Sequence, residues 1–137
     1  MSRSPLLALL ALPFAAAMSP LGAASLDAKQ PLICATLEIQ TCDPGLNCER
    51  HTVEEIDIPQ FLQVSLADKQ IRGTRPSGEA VDAAIELTKE TEQRVYLQGV
   101  TAKLGWTVNI STVTGKMTLV AADETSGYVA FGACTSR

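Results

Sequence analysis

Four cysteines, Cys34, Cys42, Cys48 and Cys134, constrain this 137-residue chain more than any other feature. An even number of cysteines in a small exported domain reads as two disulfides. Export is written in the first segment, "MSRSPLLALLALPFAAAMSPLGAASLDAKQ". Arg3 supplies a positive start, Leu6 to Ala17 form an apolar run, and the small residues "GAAS" follow. These are the three parts of a cleavable signal peptide, with cleavage expected after Ala24 or Ser25 and a secondary site after Ala17. The run is short for a bilayer span, and no later apolar run is long enough to make one. Cys34 does not suit a lipid anchor, because Ile33 precedes it and the charged stretch "LDAKQ" separates it from the leader.

Residues 26–137 are therefore expected to form one soluble β domain, periplasmic or secreted, after loss of residues 1–25. The remaining 112 residues can bury roughly two-thirds of the surface their unfolded chain exposes. With Arg3 removed, ten basic side chains face fifteen acidic ones, a formal charge of −5. Nucleic-acid binding needs clustered Lys and Arg to neutralise phosphates, so this balance argues against it and against an anionic membrane surface.

Four cysteines allow three pairings. In "CDPGLNC", Asp43, Pro44 and Gly45 suit a type II turn, with Pro fixing φ and Gly accepting a positive φ. That turn brings Cys42 towards Cys48 and leaves Cys34 to bridge to Cys134, tying the first strand to the last. The competing reading is a metal site with His51, the only histidine. Structural zinc sites place paired cysteines two to four residues apart, whereas five residues separate Cys42 from Cys48. An oxidising compartment also favours the disulfide, and no C-x-x-C sits beside a βαβ pattern. No metal and no cofactor are expected.

The rest of the chain reads as short strands between turns. "LICATLEIQTC" is rich in β-branched residues, and "RHTVEEIDIP" holds a short strand and then a loop. In "FLQVSL", Leu62, Val64 and Leu66 alternate with Gln63 and Ser65; "IRGT" returns after the turn "ADKQ". "AVDAAIELTKETEQ" fits a helical face at Val81, Ala84, Ile85 and Thr88, yet Val81, Ala83, Ile85 and Leu87 also alternate. We read a strand over Ala83 to Thr88, with "KETEQ" as the turn into "RVYLQGV". Trp106, Val108 and Ile110 form one face of "GWTVNIS", and Met117, Leu119 and Ala121 one face of "MTLVA". "YVAFGAC" closes the chain. Regular short strands without a convincing helix predict an all-β fold, an antiparallel up-and-down meander forming a barrel or sandwich of about 7–9 strands.

The segments "LQG" (97–99), "GW" (105–106), "TGKMTL" (114–119) and "FGAC" (131–134), with the early "CDPG" and "IPQFL", resemble a family of small exported proteobacterial proteins of unknown function. The resemblance covers most of the mature chain. It implies a periplasmic origin and a meander of strands, and it brings no catalytic residues.

Candidate chemistry is sparse. His51 has Glu49, Glu54, Glu55 and Asp57 near it in sequence, but a general base also needs a nucleophile or a substrate proton in reach. A solvated loop histidine is the simpler reading. Glu54, Glu55 and Asp57 lack the spacing of a calcium loop. No G-x-S-x-G elbow frames a serine, and no glycine loop suits a phosphate. We expect no enzyme.

Trp106, Tyr96, Tyr128, Phe61 and Phe131 are the aromatics of the mature chain. Trp106, Tyr96 and Tyr128 would line a ligand if a barrel enclosed a cavity, but small barrels are usually filled by their own side chains, and core filling is the expectation. Asn109-Ile110-Ser111 matches a glycosylation sequon, which has no role in a bacterium. Three functional readings follow, in order: a protein-binding module of inhibitor or accessory type, a lipocalin-like carrier of a small apolar ligand, and a structural envelope component. A full core with an exposed apolar patch would favour the first.

Overall fold

The computed structural model describes residues 25–45 and 47–137; the leader expected over residues 1–25, with the cleavage sites read after Ala17, Ala24 or Ser25, lies outside or at the border of these residues. Ten strands and no helix are present among the described residues: β1 (Leu32–Cys42), β2 (Glu49–His51), β3 (Phe61–Ser65), β4 (Gln70–Thr74), β5 (Ala80–Ala84), β6 (Leu87–Glu90), β7 (Arg94–Val100), β8 (Gly105–Ser111), β9 (Lys116–Ala122) and β10 (Gly127–Ser136). All pairings are antiparallel, in the order β5-β4-β3-β1-β10-β9-β8-β7-β6, with β2 pairing β1 off this path. The all-β expectation holds. Two hairpin meanders, one running from β3 to β5 and one from β6 to β10, meet where β1 lies against β10.

That junction carries the long staple. Cys34 lies directly opposite Cys134 in the β1/β10 register, and the two are bonded across a separation of 100 residues. Cys42 bonds to Cys48, and Gly45 takes the positive φ of 78° that its turn requires. The short bridge returns the chain so that β2 pairs with Thr41, Gln40 and Ile39 of β1.

The order of strands begins with β5 and ends with β6, which are consecutive in the chain. The sheet therefore curls into a barrel-like shell whose two edges are the two halves of one run. Ile85 donates its N–H to Lys69 beside β4, and Glu86 donates to Gln98 on β7, so the run changes sides between these residues. This corrects the single strand read over Ala83 to Thr88. The kink shifts the alternation: Ile85 is buried, as Val81 and Ala83 partly are, but Leu87 turns outward at 51% exposed. Lys89 and Glu90 belong to β6, so the turn into β7 is shorter than "KETEQ" suggests. The strand containing Leu62 and Val64 likewise ends at Ser65, leaving Leu66 in the turn.

Inward-facing Leu32, Val64, Val95, Leu97, Val108 and Ile110 fill the shell together with the Cys34–Cys134 bridge. A smaller cluster of Ile39, Val53 and Ala130 packs under the 52–60 loop. Near the seam, Trp106 lies opposite Gly99 in the β7/β8 register. A Cβ on Gly99 would run into the indole ring and come within 2.5 Å of the Ala84 carbonyl oxygen, so only glycine lets β5, β7 and the ring approach this closely.

Two stability predictions follow from this packing. In the chain-entropy account a loop of this length is worth about 4.7 kcal/mol, against roughly half that for the short clip. Cys134→Ser should therefore lose about 2 kcal/mol more than Cys42→Ser in matched urea denaturation; equal losses would contradict the assignment of the long bridge as the main staple. Gly99→Ala should cost about 1–3 kcal/mol by overpacking, and an unchanged midpoint would show that the seam has slack.

Candidate functional site

The alternation of each strand decides which side chains face out. On β3, Phe61 is in phase with Gln63 and Ser65, and on β10 Phe131 is out of phase with buried Ala130 and Cys134. Both phenylalanines therefore lie on the outer face, 57% and 42% exposed, and not in the core where the sequence reading placed them. The alternation of these two strands held the signal that separates them from Trp106.

Between them β1 carries a bulge. The register against β10 slips between Thr36 and Glu38, so Leu37 has no partner across the ladder and projects at 74% exposed. Phe61 lies opposite Ala35, and Phe131 opposite Glu38, on either side of the bulge. Thr36 anchors the loop beneath: its N–H donates to the Gln60 carbonyl at 2.8 Å and its buried hydroxyl to the Pro59 carbonyl at 3.3 Å.

Two open grooves adjoin this patch. The larger, about 640 Å³, follows the β1-β3-β4-β5 side and is lined by Ile33, Phe61, Gln63, Arg72, Ala80 and Asp82 among others. Its charges are balanced, Arg72 lying 3.6 Å from Asp82. The smaller, about 470 Å³, lies beside Leu37, Glu38, Arg50 and His51. Val53, Glu54 and Gln60 border both grooves, so the 52–60 loop forms a shared ridge.

The loop is held at both ends. Thr52 N–H donates to the Glu55 carboxylate at 2.8 Å, and Glu55 N–H returns a bond to the Thr52 hydroxyl at 3.3 Å. Asp57 accepts from the Ser77 N–H at 2.9 Å and the Ser77 hydroxyl at 2.8 Å, while Arg75 donates to the Asp57 carbonyl. Hydrogen bonds from the Ser77 backbone and hydroxyl, and then the Arg75 charge, hold the Asp57 carboxyl below its ordinary pKa. Asp57 has a φ of 51°, a backbone conformation that Asp tolerates better than most residues.

The remaining candidates do not converge. His51 pairs with Ile39 on β1, and its Nδ1 is 3.7 Å from the Glu55 carboxylate. Glu55 bonds to Thr52 and Asp57 to Ser77, and no group of three or more metal-ligating His, Cys, Asp or Glu occurs among the described residues. Trp106 and Tyr128 flank Ala121 in one inner cross-strand row. Tyr96 lies opposite Lys89 and Asn109, on the other face, so the three suggested ligand-lining aromatics do not share a cavity wall. The indole N–H of Trp106 is buried without a hydrogen-bond partner among the described residues. Neither groove is lined by these three aromatics.

No family model, no curated protein and no solved structure matches the chain.

The ridge generates a pH prediction. Because the Asp57 carboxyl titrates lower in the fold than in the unfolded chain, its contribution is present above the unfolded pKa and is lost as pH falls through the folded one. The Ser77 amide should lose protection from hydrogen exchange across that acid range in the wild type. In Asp57→Asn that pH dependence should vanish; its persistence would assign the loss to another group.

Proposed function

We propose that this chain is a non-enzymatic, exported β domain that binds another protein through the outer face of β3, β1 and β10. The exposure of Leu37, Phe61 and Phe131 on that one face, beside a packed interior, carries this reading. Large apolar side chains grouped outside a stapled shell add nothing to its core, and such patches mark interaction surfaces. The neighbouring ion pairs Arg50–Glu38 and Arg72–Asp82 supply a polar rim, the usual surround of a protein interface.

Two disulfides suit an oxidising, extracytoplasmic setting. With the leader of residues 1–25, they support a periplasmic or secreted protein of a bacterial envelope, of the small proteobacterial type that the sequence resembles. Inhibitor or accessory work fits a rigid face of this size. The partner is a protein and not nucleic acid, given the acidic balance of the chain, and the mature domain does not insert in a membrane. The carrier reading gains no support from Trp106 and Tyr96, which lie on opposite faces of the shell. No observation here favours a structural envelope role over binding.

A photo-crosslinking residue at Phe61, introduced in the exporting cell, tests the face. Discrete adducts with another protein should form at Phe61 and be absent at Val113, a comparably exposed position in the turn between β8 and β9 that lines neither groove. Adducts at neither position, or equally at both, would refute the reading.

A further inference from the structure

Resting on the protein-binding reading above, we infer that the partner is engaged as an extended segment that adds to the outer edge of β5. The backbone pattern of the hairpin identifies that edge. Arg75 N–H donates to the Glu79 carbonyl, and Ile85 N–H to the Lys69 carbonyl, at opposite ends of the β4/β5 ladder. Hydrogen-bonded pairs alternate between these ends, so Val81 and Ala83, opposite Gly73 and Ile71, spend their backbone groups on β4. Ala80, Asp82 and Ala84 turn theirs the other way. The Ala84 carbonyl faces Gly99 across the seam. Ala80 and Asp82 present two N–H and two C=O groups with no backbone partner among the described residues.

Three observations select this edge and its occupant. β5 is built from "AVDAA", whose small side chains let another backbone approach, and it ends the strand order. The opposite edge, β6, is "LTKE": Lys89 and Glu90 blunt it, as charges on edge strands do. The larger groove is lined by Ala80, Val81 and Asp82 and reaches Phe61, so a segment on the β5 edge lies along the proposed binding face.

The occupant is then an amphipathic strand from another protein. Its apolar side covers Val81 and Ala83, which are only partly buried, and its polar side continues the outer row of Gln63, Arg72 and Asp82. A second copy of this chain is disfavoured, since each carries a formal charge of −5 after leader removal and like charges repel.

Proline tests the edge without disturbing the ladder. At positions 80 and 82 the N–H points away from β4, so proline removes only a donor that β4 does not use. With the crosslinker at Phe61, Ala80→Pro and Asp82→Pro should each lower adduct yield about tenfold or more, the effect of losing backbone bonds to the partner. Asp82→Ala, which keeps the N–H, should retain the adduct. Adducts that persist in both proline variants overturn strand addition and leave the binding face standing; no adduct in the unsubstituted protein overturns the binding face itself. An adduct whose mass identifies a second copy of this chain also overturns the proposal. Hydrogen exchange on the purified proline variants guards against misfolding, because Val81 and Ala83 amides must stay protected there, and in the purified wild type the Ala80 and Asp82 amides must exchange fast. Protection of Ala80 and Asp82 in the isolated protein would show the edge already occupied and end the proposal.

Discussion

The pairing of β1 with β10, sealed by Cys34–Cys134, is the contact on which the rest of the molecule depends. Apart from β1/β3, every other pairing along the main path is a local hairpin between strands consecutive in sequence. Only this ladder and the β1/β3 pairing bring distant segments together, and it has the higher closure entropy to overcome. The bridge removes much of that entropy from the unfolded chain. It also sits inside the shell, where both cysteines are buried among Leu32, Leu62 and Met117 and serve as core residues.

From that junction the two meanders curl until β5 and β6 form the free ends of the sheet. A closed barrel has no edges, but here the run from Ala80 to Glu90 serves each side in turn and leaves part of its own backbone unpaired. Gly99 and Trp106 bring the walls together at the crossing point. The same geometry that nearly closes the shell thus creates an accessible edge, and it does so beside the groove and the apolar patch. The larger groove, its ridge and the edge lie on the half of the molecule that β1, β3, β4 and β5 build, and the patch runs from that half onto β10.

The bulge at Leu37 deserves the same physical reading. It occurs where β1 stops pairing with β3 and starts pairing with β2, and it lets one strand serve two partners along a single edge. The extra residue has no ladder position and so is released to solvent. An apolar side chain there, between Phe61 and Phe131, is a surface feature that the folding of the sheet does not require.

Much of this was legible along the chain. Period-2 alternation in "FLQVS", "GWTVNIS" and "MTLVA" identified strands because a half-buried pleat imposes it. The spacing in "CDPGLNC" and the turn chemistry of Pro44 and Gly45 pointed to the short clip, leaving the long bridge to the other two cysteines. Where the reading of 80–90 failed, the alternation of Val81, Ala83 and Ile85 was real but did not carry past a kink, after which Leu87 faces outward and all of β6 is exposed. That kink exists only because the two halves pair with strands from opposite meanders. The candidate surface was less legible, since exposure of Phe61, Phe131 and Leu37 depends on strand phase relative to distant partners. Local patterning by itself determined that this chain makes antiparallel strands held by two disulfides. Which face each aromatic took, where β1 bulged and which edge stayed open were decided by tertiary register, because register joins residues whose separation along the chain carries no local signal.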